Sequence, residues 1–210
     1  METYIFTKKE ETAHSITHGF GALLSIAALA VAIVLASFSS DPWVIVSVTI
    51  FGTTMLLMYL SSTIVHALPE GKTKDIFQII DHAAIYLFIA GTYTPILLIS
   101  LRDPLGWTVF GIVWGIAIAG TIFKIFFVKK FLIMSTILYL LMGWMIMFIW
   151  KPLLEVLPQQ SLQYLLIGGL LYTIGAVFYV WRKIPYHHAV WHMFVLAGSA
   201  FHFFAILFLI

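Results

Sequence analysis

The sequence predicts an all-α fold, an integral membrane bundle of seven transmembrane helices. Of its 210 residues, 62% are hydrophobic and only 10% are charged, whereas a soluble domain carries about 25% charged residues. Seven apolar stretches follow one another, each of roughly the 20 residues that cross a bilayer as a helix. They lie at 16–37, 43–65, 77–99, 107–127, 132–150, 164–181 and 188–210. We therefore expect one transmembrane domain, residues 16–210, after an N-terminal tail, residues 1–15.

Turn-forming residues separate these stretches, as expected for short loops between helices. The breaks are Asp41-Pro42, Pro69-Glu70-Gly71, Asp103-Pro104, Lys129-Lys130, Pro158 and Pro185. Within the third stretch, residues 91–95 read Gly-Thr-Tyr-Thr-Pro. Glycine permits a close helix contact and proline disturbs the helical hydrogen bonds, so we expect a close contact and a kink there.

The positive residues predict the orientation of the bundle. With seven spans, one side receives the N-terminus and every second loop, and the other side receives the remaining loops. The first side holds nine positive residues: Lys8, Lys9, Lys72, Lys74, Lys124, Lys129, Lys130, Arg182 and Lys183. The second side has only Arg102 and Lys151. By the positive-inside rule, the N-terminus is cytoplasmic and the C-terminus lies outside.

Composition also limits the chemistry and the partners. There is no cysteine, which excludes disulfides, thiolate zinc sites and a cysteine nucleophile, and leaves histidine and carboxylate as metal-capable groups. The net charge of +2 is not arranged as a basic stripe with interleaved aromatics, so nucleic acid is not an expected partner. Membrane lipids are the expected partners. The sequence points to no soluble protein partner and to no particular oligomeric state.

Three polar patterns interrupt the apolar stretches: Ser62-x-x-x-His66, Asp81-His82 and His188-x-x-x-His192. Ionisable groups are costly inside a membrane unless they are paired. His66 comes just before the loop at Pro69 and Asp81 soon after it, while His188 and His192 open the seventh stretch. All of them therefore lie at a similar depth near the cytoplasmic side.

A shared zinc site is the simplest explanation of these patterns. Histidines four residues apart on a helix face the same way, a recurrent zinc-binding geometry. His188 and His192 with His66 would give three nitrogen ligands and leave a fourth position for water. Asp81 would hold that water and accept its proton, and Ser62 would orient it. The alternatives are a buried hydrogen-bonded or proton-relay cluster, and for Ser62 a hydroxyl bonded to its own helix.

The other histidines are expected to lie outside the metal site. His18 would pack against the site, and His82 points about 100° away from Asp81 on the same helix. His187 would be solvated at the interface. His202, roughly 15 Å further along its helix than His192, would make a polar contact inside the bundle.

These residues resemble a known family. Ser62-x-x-x-His66, Asp81 and His188-Ala-Val-Trp-His192 resemble the three signature motifs of the hemolysin III proteins, within the progestin and adiponectin receptor superfamily. The segment 14–21, His-Ser-Ile-Thr-His-Gly-Phe-Gly, and Asp81-His82 together with 91–95, resemble the bacterial branch. The long N-terminal domain of the eukaryotic receptors is missing, so adiponectin binding is not expected.

The resemblance implies a seven-helix fold with zinc near the cytoplasmic face. It implies that His66, His188 and His192 are the metal ligands, that Asp81 holds a zinc-bound water and that Ser62 completes the motif. In eukaryotic relatives this site is associated with ceramide hydrolysis. Some bacterial members are named for red-cell lysis, and the family is also linked to membrane lipid and energy homeostasis.

The sequence leaves more than one function class open for this multi-pass protein of the bacterial plasma membrane. The first is a zinc-dependent hydrolase of lipid amides or esters, similar to a ceramidase. The second is a non-enzymatic protein with structural zinc, either a cytolysin or a receptor or regulator of lipid homeostasis. Proton or ion transport is a third class, and the clustering of the ionisable groups near one face disfavours it.

Overall fold

The computed structural model describes residues 6–210, and in this part of the chain seven helices are long and apolar enough to cross a membrane. None of these residues belongs to a strand, so the predicted all-α bundle is confirmed. The helices are α1 (Lys8–Ala36), α2 (Pro42–Ala67), α3 (Lys72–Ser100), α4 (Pro104–Phe127), α5 (Leu132–Val156), α6 (Gln159–Val180) and α7 (His187–Leu207).

Helix α1 begins eight residues before the first apolar stretch, because a capping box starts it. The Thr7 hydroxyl accepts a hydrogen bond from the backbone N–H of Glu10, and the Glu10 carboxylate accepts one from the N–H of Thr7. This exchange satisfies two donors at the helix end. Residues 8–15 of the expected tail are therefore helical, while residues 1–5 lie outside the described part of the chain.

Two predicted breaks are helix starts of a common type. Asp41 and Asp103 each accept a backbone N–H of the turn that follows, and each precedes a proline at the first helical position. Proline is favoured there because its missing N–H would have no partner within the helix. Asp41 also binds Arg102, with Nη1 and Oδ2 2.8 Å apart. The hydrogen bond from Arg102 holds the pKa of Asp41 below its usual value.

The ends of the helices meet on two opposite faces. Glu11 in the first turns of α1 binds Lys74 at the start of α3, and Glu10 accepts the backbone N–H of Tyr186 just before α7. We call this the N-terminal face; the α2–α3, α4–α5 and α6–α7 loops belong to it. The pair of Asp41 and Arg102 lies on the other face. That the N-terminal face is cytoplasmic remains the prediction made from the positive residues.

Helix α3 contributes to both halves of the core. Tyr86 and Leu97 pack with α4, α5 and α6 in one cluster, and Phe88 packs with α1, α2 and α7 in the other. On the outer surface of the bundle, large apolar side chains such as Phe148 are exposed, as expected of a surface that faces lipid. Side chains on α3 are therefore positioned by helices on every side.

The expected close contact at Gly91 is confirmed. A Cβ added to Gly91 would lie 2.0 Å from the Thr54 hydroxyl oxygen, so only glycine allows α2 and α3 to approach in this way. Directly after Pro95, the helix continues as a π-helical turn over Ile96–Ser100. Proline removes one hydrogen-bond donor and crowds the preceding turn, which accounts for the irregular geometry at this point.

Helix α5 is interrupted by a 3-10 turn over Met145–Ile149. Just before the turn, the Tyr93 hydroxyl donates to the carbonyl oxygens of Met142 and Gly143, at 2.9 and 2.8 Å. The indole N–H of Trp144 donates to the Thr173 hydroxyl of α6 at 2.9 Å. These contacts satisfy polar groups that lipid cannot satisfy.

Gly106 and Gly111 provide a matched test of packing on α4. A Cβ at Gly106 would lie 1.6 Å from the Leu101 carbonyl oxygen, whereas a Cβ at Gly111 would meet no atom within 4 Å. We expect Gly106→Ala to destabilise the protein by about 1–3 kcal/mol or more through overpacking. Gly111→Ala should stabilise it by about 0.5–1 kcal/mol, because alanine favours helix. Thermal unfolding in detergent measures both, and equal melting temperatures would contradict the described contact.

Candidate metal centre

Three histidines from three helices meet at the N-terminal face. His14 of α1, His66 of α2 and His188 of α7 each offer a ring nitrogen, and these atoms lie within 4.8 Å of one another. Two nitrogen ligands of one zinc ion lie at most about 4.2 Å apart, twice the Zn–N bond length. An upper limit of 4.8 Å on the spacing includes distances that one shared zinc ion allows. The cluster therefore includes two of the predicted ligands and one histidine, His14, that was not predicted as a ligand.

The third predicted ligand, His192, lies one turn deeper on α7 and beside the same cluster. Its ring centroid is 4.6 Å from that of His188 and 5.4 Å from that of His66. Its Nδ1 lies 3.0 Å from the Thr17 hydroxyl. Because Thr17 already donates to carbonyl oxygens of its own helix, the hydroxyl accepts from Nδ1–H of His192. The lone pair of His192 is therefore on Nε2.

An acidic residue orients His66 in the same way. The Glu11 carboxylate lies 2.5 Å from Nδ1 of His66 and 2.6 Å from the Lys74 ammonium. A neutral His66 that donates Nδ1–H to Glu11 keeps its lone pair on Nε2. A carboxylate behind a histidine is a common arrangement in metal sites. Sequence reasoning missed Glu11, although an acidic residue a turn before His14 in a membrane helix was a usable signal.

Several nitrogens of the cluster have no hydrogen-bond partner among residues 6–210. They are Nδ1 and Nε2 of His14, and Nε2 of His188 and of His192, all buried. The nearest carboxylate oxygen to Nδ1 of His14 is that of Glu11, at 3.7 Å. Each buried polar atom without a partner costs about 1–3 kcal/mol. A cation that accepts these lone pairs would remove much of that cost.

The two predicted catalytic residues are neighbours. The Ser62 hydroxyl lies 2.7 Å from Nδ1 of His18 and is also the polar neighbour of the Asp81 carboxyl. The ring of His18 stacks on His192, with centroids 3.4 Å apart. His192, His18, Ser62 and Asp81 are therefore successive neighbours at this site.

Asp81 also lies where two cavities meet. The first, of about 790 Å³, is lined by His66, Asp81 and His188 together with basic residues of the N-terminal face. The second, of about 160 Å³, is mostly apolar. Its lining residues include Asp81 at one end and His202 and Trp150 well inside the bundle.

The remaining histidines behave only partly as predicted. His18 packs against the site, and Nε2 of His202 lies 3.2 Å from the Leu165 carbonyl oxygen inside the bundle. His82 contacts the Gln78 carbonyl oxygen of its own helix, but its Nδ1 also lies 3.4 Å from the Asp81 carboxylate, so the expectation that it points away from Asp81 is wrong. The prediction for His187 is also wrong, because this residue is only 1% exposed and its Nδ1 contacts the Phe178 carbonyl oxygen. The fold of the α6–α7 loop over α7 buries it.

Comparison with known proteins gives a consistent result. The family model described as "Haemolysin-III related" matches residues 6–203. The chain is 55% identical to a "Hemolysin-3 homolog" of Bacillus subtilis (strain 168) over 97% of this chain and 96% of the relative. It is 52% identical to "Hemolysin-3" of Bacillus cereus over 95% and 91%. It is 31% identical to "Monocyte to macrophage differentiation factor" of Homo sapiens over 94% and 83%. No solved structure matches the chain.

The role of Glu11 can be tested through stability. Glu11→Ala removes a partner from both His66 and Lys74, whose side chains are only 10% and 15% exposed. We expect a loss of about 1–3 kcal/mol in the metal-free protein. The control is Asp75→Ala, which breaks a pair with Lys129 that is 53% exposed on both sides and should cost at most about 1 kcal/mol. Thermal unfolding with a chelator compares them, and equal losses would count against the Glu11 contacts.

Proposed function

The chain belongs to the haemolysin-III-related family, and from this premise we propose that it is a zinc-dependent hydrolase of membrane lipid amides or esters. The observation that carries the proposal is the group of buried, unpartnered imidazole nitrogens beside Asp81. A multi-pass protein of a bacterial membrane meets lipids as its commonest neighbours. The inner apolar cavity that begins at Asp81 supports an acyl chain as part of the substrate.

The donor set fits zinc. His66, His188 and His192 are the proposed ligands. A neutral imidazole that donates Nδ1–H to a neighbour keeps its Nε2 lone pair for the metal, and His66 and His192 have such neighbours in Glu11 and Thr17. Zinc accepts imidazole nitrogen readily, whereas magnesium and calcium prefer oxygen. The absence of cysteine from the sequence leaves histidine as the main zinc-binding residue.

Bound zinc would supply a Lewis acid, which activates water and polarises a carbonyl group. Asp81 is placed to accept the proton of the attacking water as it adds to the carbonyl carbon. The same proton then passes to the leaving amine or alcohol when the C–N or C–O bond breaks, so Asp81 ends the reaction unchanged. Ser62, between His18 and Asp81, holds the carboxyl in place. The apolar walls of the inner cavity exclude bulk water.

Variants of His188 and Asp81 separate metal binding from chemistry. We expect His188→Ala to lose zinc and turnover together, because a metal ligand is removed. Asp81→Asn should keep zinc but lower turnover by about 10²–10⁴-fold, the usual contribution of a general base. His202→Gln, on the same helix as His188, should keep its zinc. Elemental analysis and lipid mass spectrometry after incubation with ceramides and phospholipids measure these outcomes. Zinc-loaded protein that cleaves none of these lipids would contradict the proposal.

The second candidate is a non-enzymatic membrane protein with structural zinc, either lytic or regulatory. Two observations favour it. His14 brings a fourth imidazole to the cluster, and four nitrogens would complete a tetrahedral shell, which is typical of structural rather than catalytic zinc. One relative also carries the name "Hemolysin-3".

The number of nitrogen ligands distinguishes the two candidates. If the ion is structural, X-ray absorption of the zinc-loaded protein should give four imidazole nitrogens in the wild type and three in His14→Ala. If the ion is catalytic, both proteins should give three. The hydrolase proposal predicts the second result, with the zinc content of His14→Ala unchanged.

A further inference from the structure

Lys124 is a buried cation that the proposed chemistry does not use. It lies in the last turn of α4, is 1% exposed, and its ammonium donates to the Ser135 hydroxyl at 2.6 Å. Its Nζ is 6.0 Å from the centre of the Tyr139 ring. No carboxylate within the described chain lies within 4 Å of it, whereas Lys74, Lys129 and Arg102 all have such partners.

A buried ammonium is costly without a countercharge. The carbonyl end of α4 offers a partial negative charge, which is only a fraction of the charge of the ammonium. A hydroxyl and an aromatic ring do not neutralise the remaining charge. The position of Lys124 therefore calls for an anion that residues 6–210 do not supply.

The cavity next to Lys124 is positively charged overall. It is the larger cavity, the one that reaches the N-terminal face, and Lys124, Lys129, Lys130 and Arg182 line it. Asp81 is the one carboxylate among its lining residues, and it lies beside His82. Lys129 is already paired with Asp75. Lys124, Lys130 and Arg182 remain, and all three line this one cavity.

We propose that this cavity binds the phosphate of an anionic phospholipid headgroup, with Lys124 as its buried contact. The proposal rests on the proposed function, because it names the class of substrate that the same site would take. A headgroup held at Lys124 lies in the cavity that also contains Asp81, and the inner apolar cavity continues from Asp81. One lipid can thus span both cavities. A neutral headgroup, such as that of a ceramide, would leave Lys124 without a countercharge.

Binding can be measured without turnover. Fluorescently labelled phosphatidylglycerol and diacylglycerol, which lacks the phosphate, are titrated at equal chain length onto the purified full-length protein in detergent. We expect the wild type to prefer phosphatidylglycerol by about tenfold or more, which is the effect of one charge-assisted hydrogen bond. Lys124→Met should lose that preference. Lys151→Met, an exposed lysine on α5 far from this cavity, should keep it.

The remaining outcomes overturn the proposal in distinct ways. A wild type without preference overturns it, and so does a Lys124→Met protein that keeps the preference while Arg182→Gln loses it. Inorganic phosphate that displaces the lipid at millimolar concentration would assign the site to free phosphate. Thermal unfolding tests whether the Lys124→Met protein is folded. The Lys124→Arg protein, which keeps the positive charge, should show the same lipid preference as the wild type. Zinc content and hydrolysis are measured in parallel. A headgroup preference without turnover contradicts only the proposed hydrolase activity. Turnover without a headgroup preference contradicts only the proposed phosphate site.

Discussion

The candidate site depends on the contacts of one side chain, the carboxylate of Glu11. It binds His66 of α2 and Lys74 of α3 from its place on α1, so that one side chain joins three helices. In a bilayer, apolar contact between helices competes with equally apolar lipid and gives little net attraction. Directional polar contacts therefore determine how the helices are placed more strongly than they do in water. The histidines of α1 and α2 meet because this contact holds their helices at one height.

Several buried nitrogens without partners lie beside this contact. His14, His188 and His192 keep buried nitrogens without hydrogen bonds within residues 6–210, a cost that the rest of the bundle must offset. Unsatisfied groups of this kind cluster at functional sites in proteins more often than elsewhere. Lys124 follows the same pattern at the other side of the open cavity. His66, His188 and Lys124 thus border the same cavity.

The sequence predicted the architecture well and the site in part. Apolar stretches gave the seven spans, and the pairs Asp41-Pro42 and Asp103-Pro104 correctly marked helix starts. The early start of α1 was missed because its first turns carry charge, and hydropathy alone cannot tell a buried Glu10 from a solvated one. Spacing placed His188 and His192 on one helix face. It could not show that His14 lies beside them, because that depends on how α1 packs against α2 and α7.

The contacts around the break in α5 have a consequence for the whole bundle. Tyr93 reaches the carbonyl oxygens of Met142 and Gly143, Trp144 reaches Thr173, and Tyr139 donates to the His82 carbonyl oxygen. All three are aromatic side chains with one polar atom, and each can bond at only one rotation and one height of α5. Lipid offers no replacement partner, so a slip of α5 by one turn would forfeit all of these bonds together. The helix that forms much of the inner cavity wall is thus held in its rotational register by hydrogen bonds, and the shape of that cavity depends on them as well as on the fit of apolar side chains.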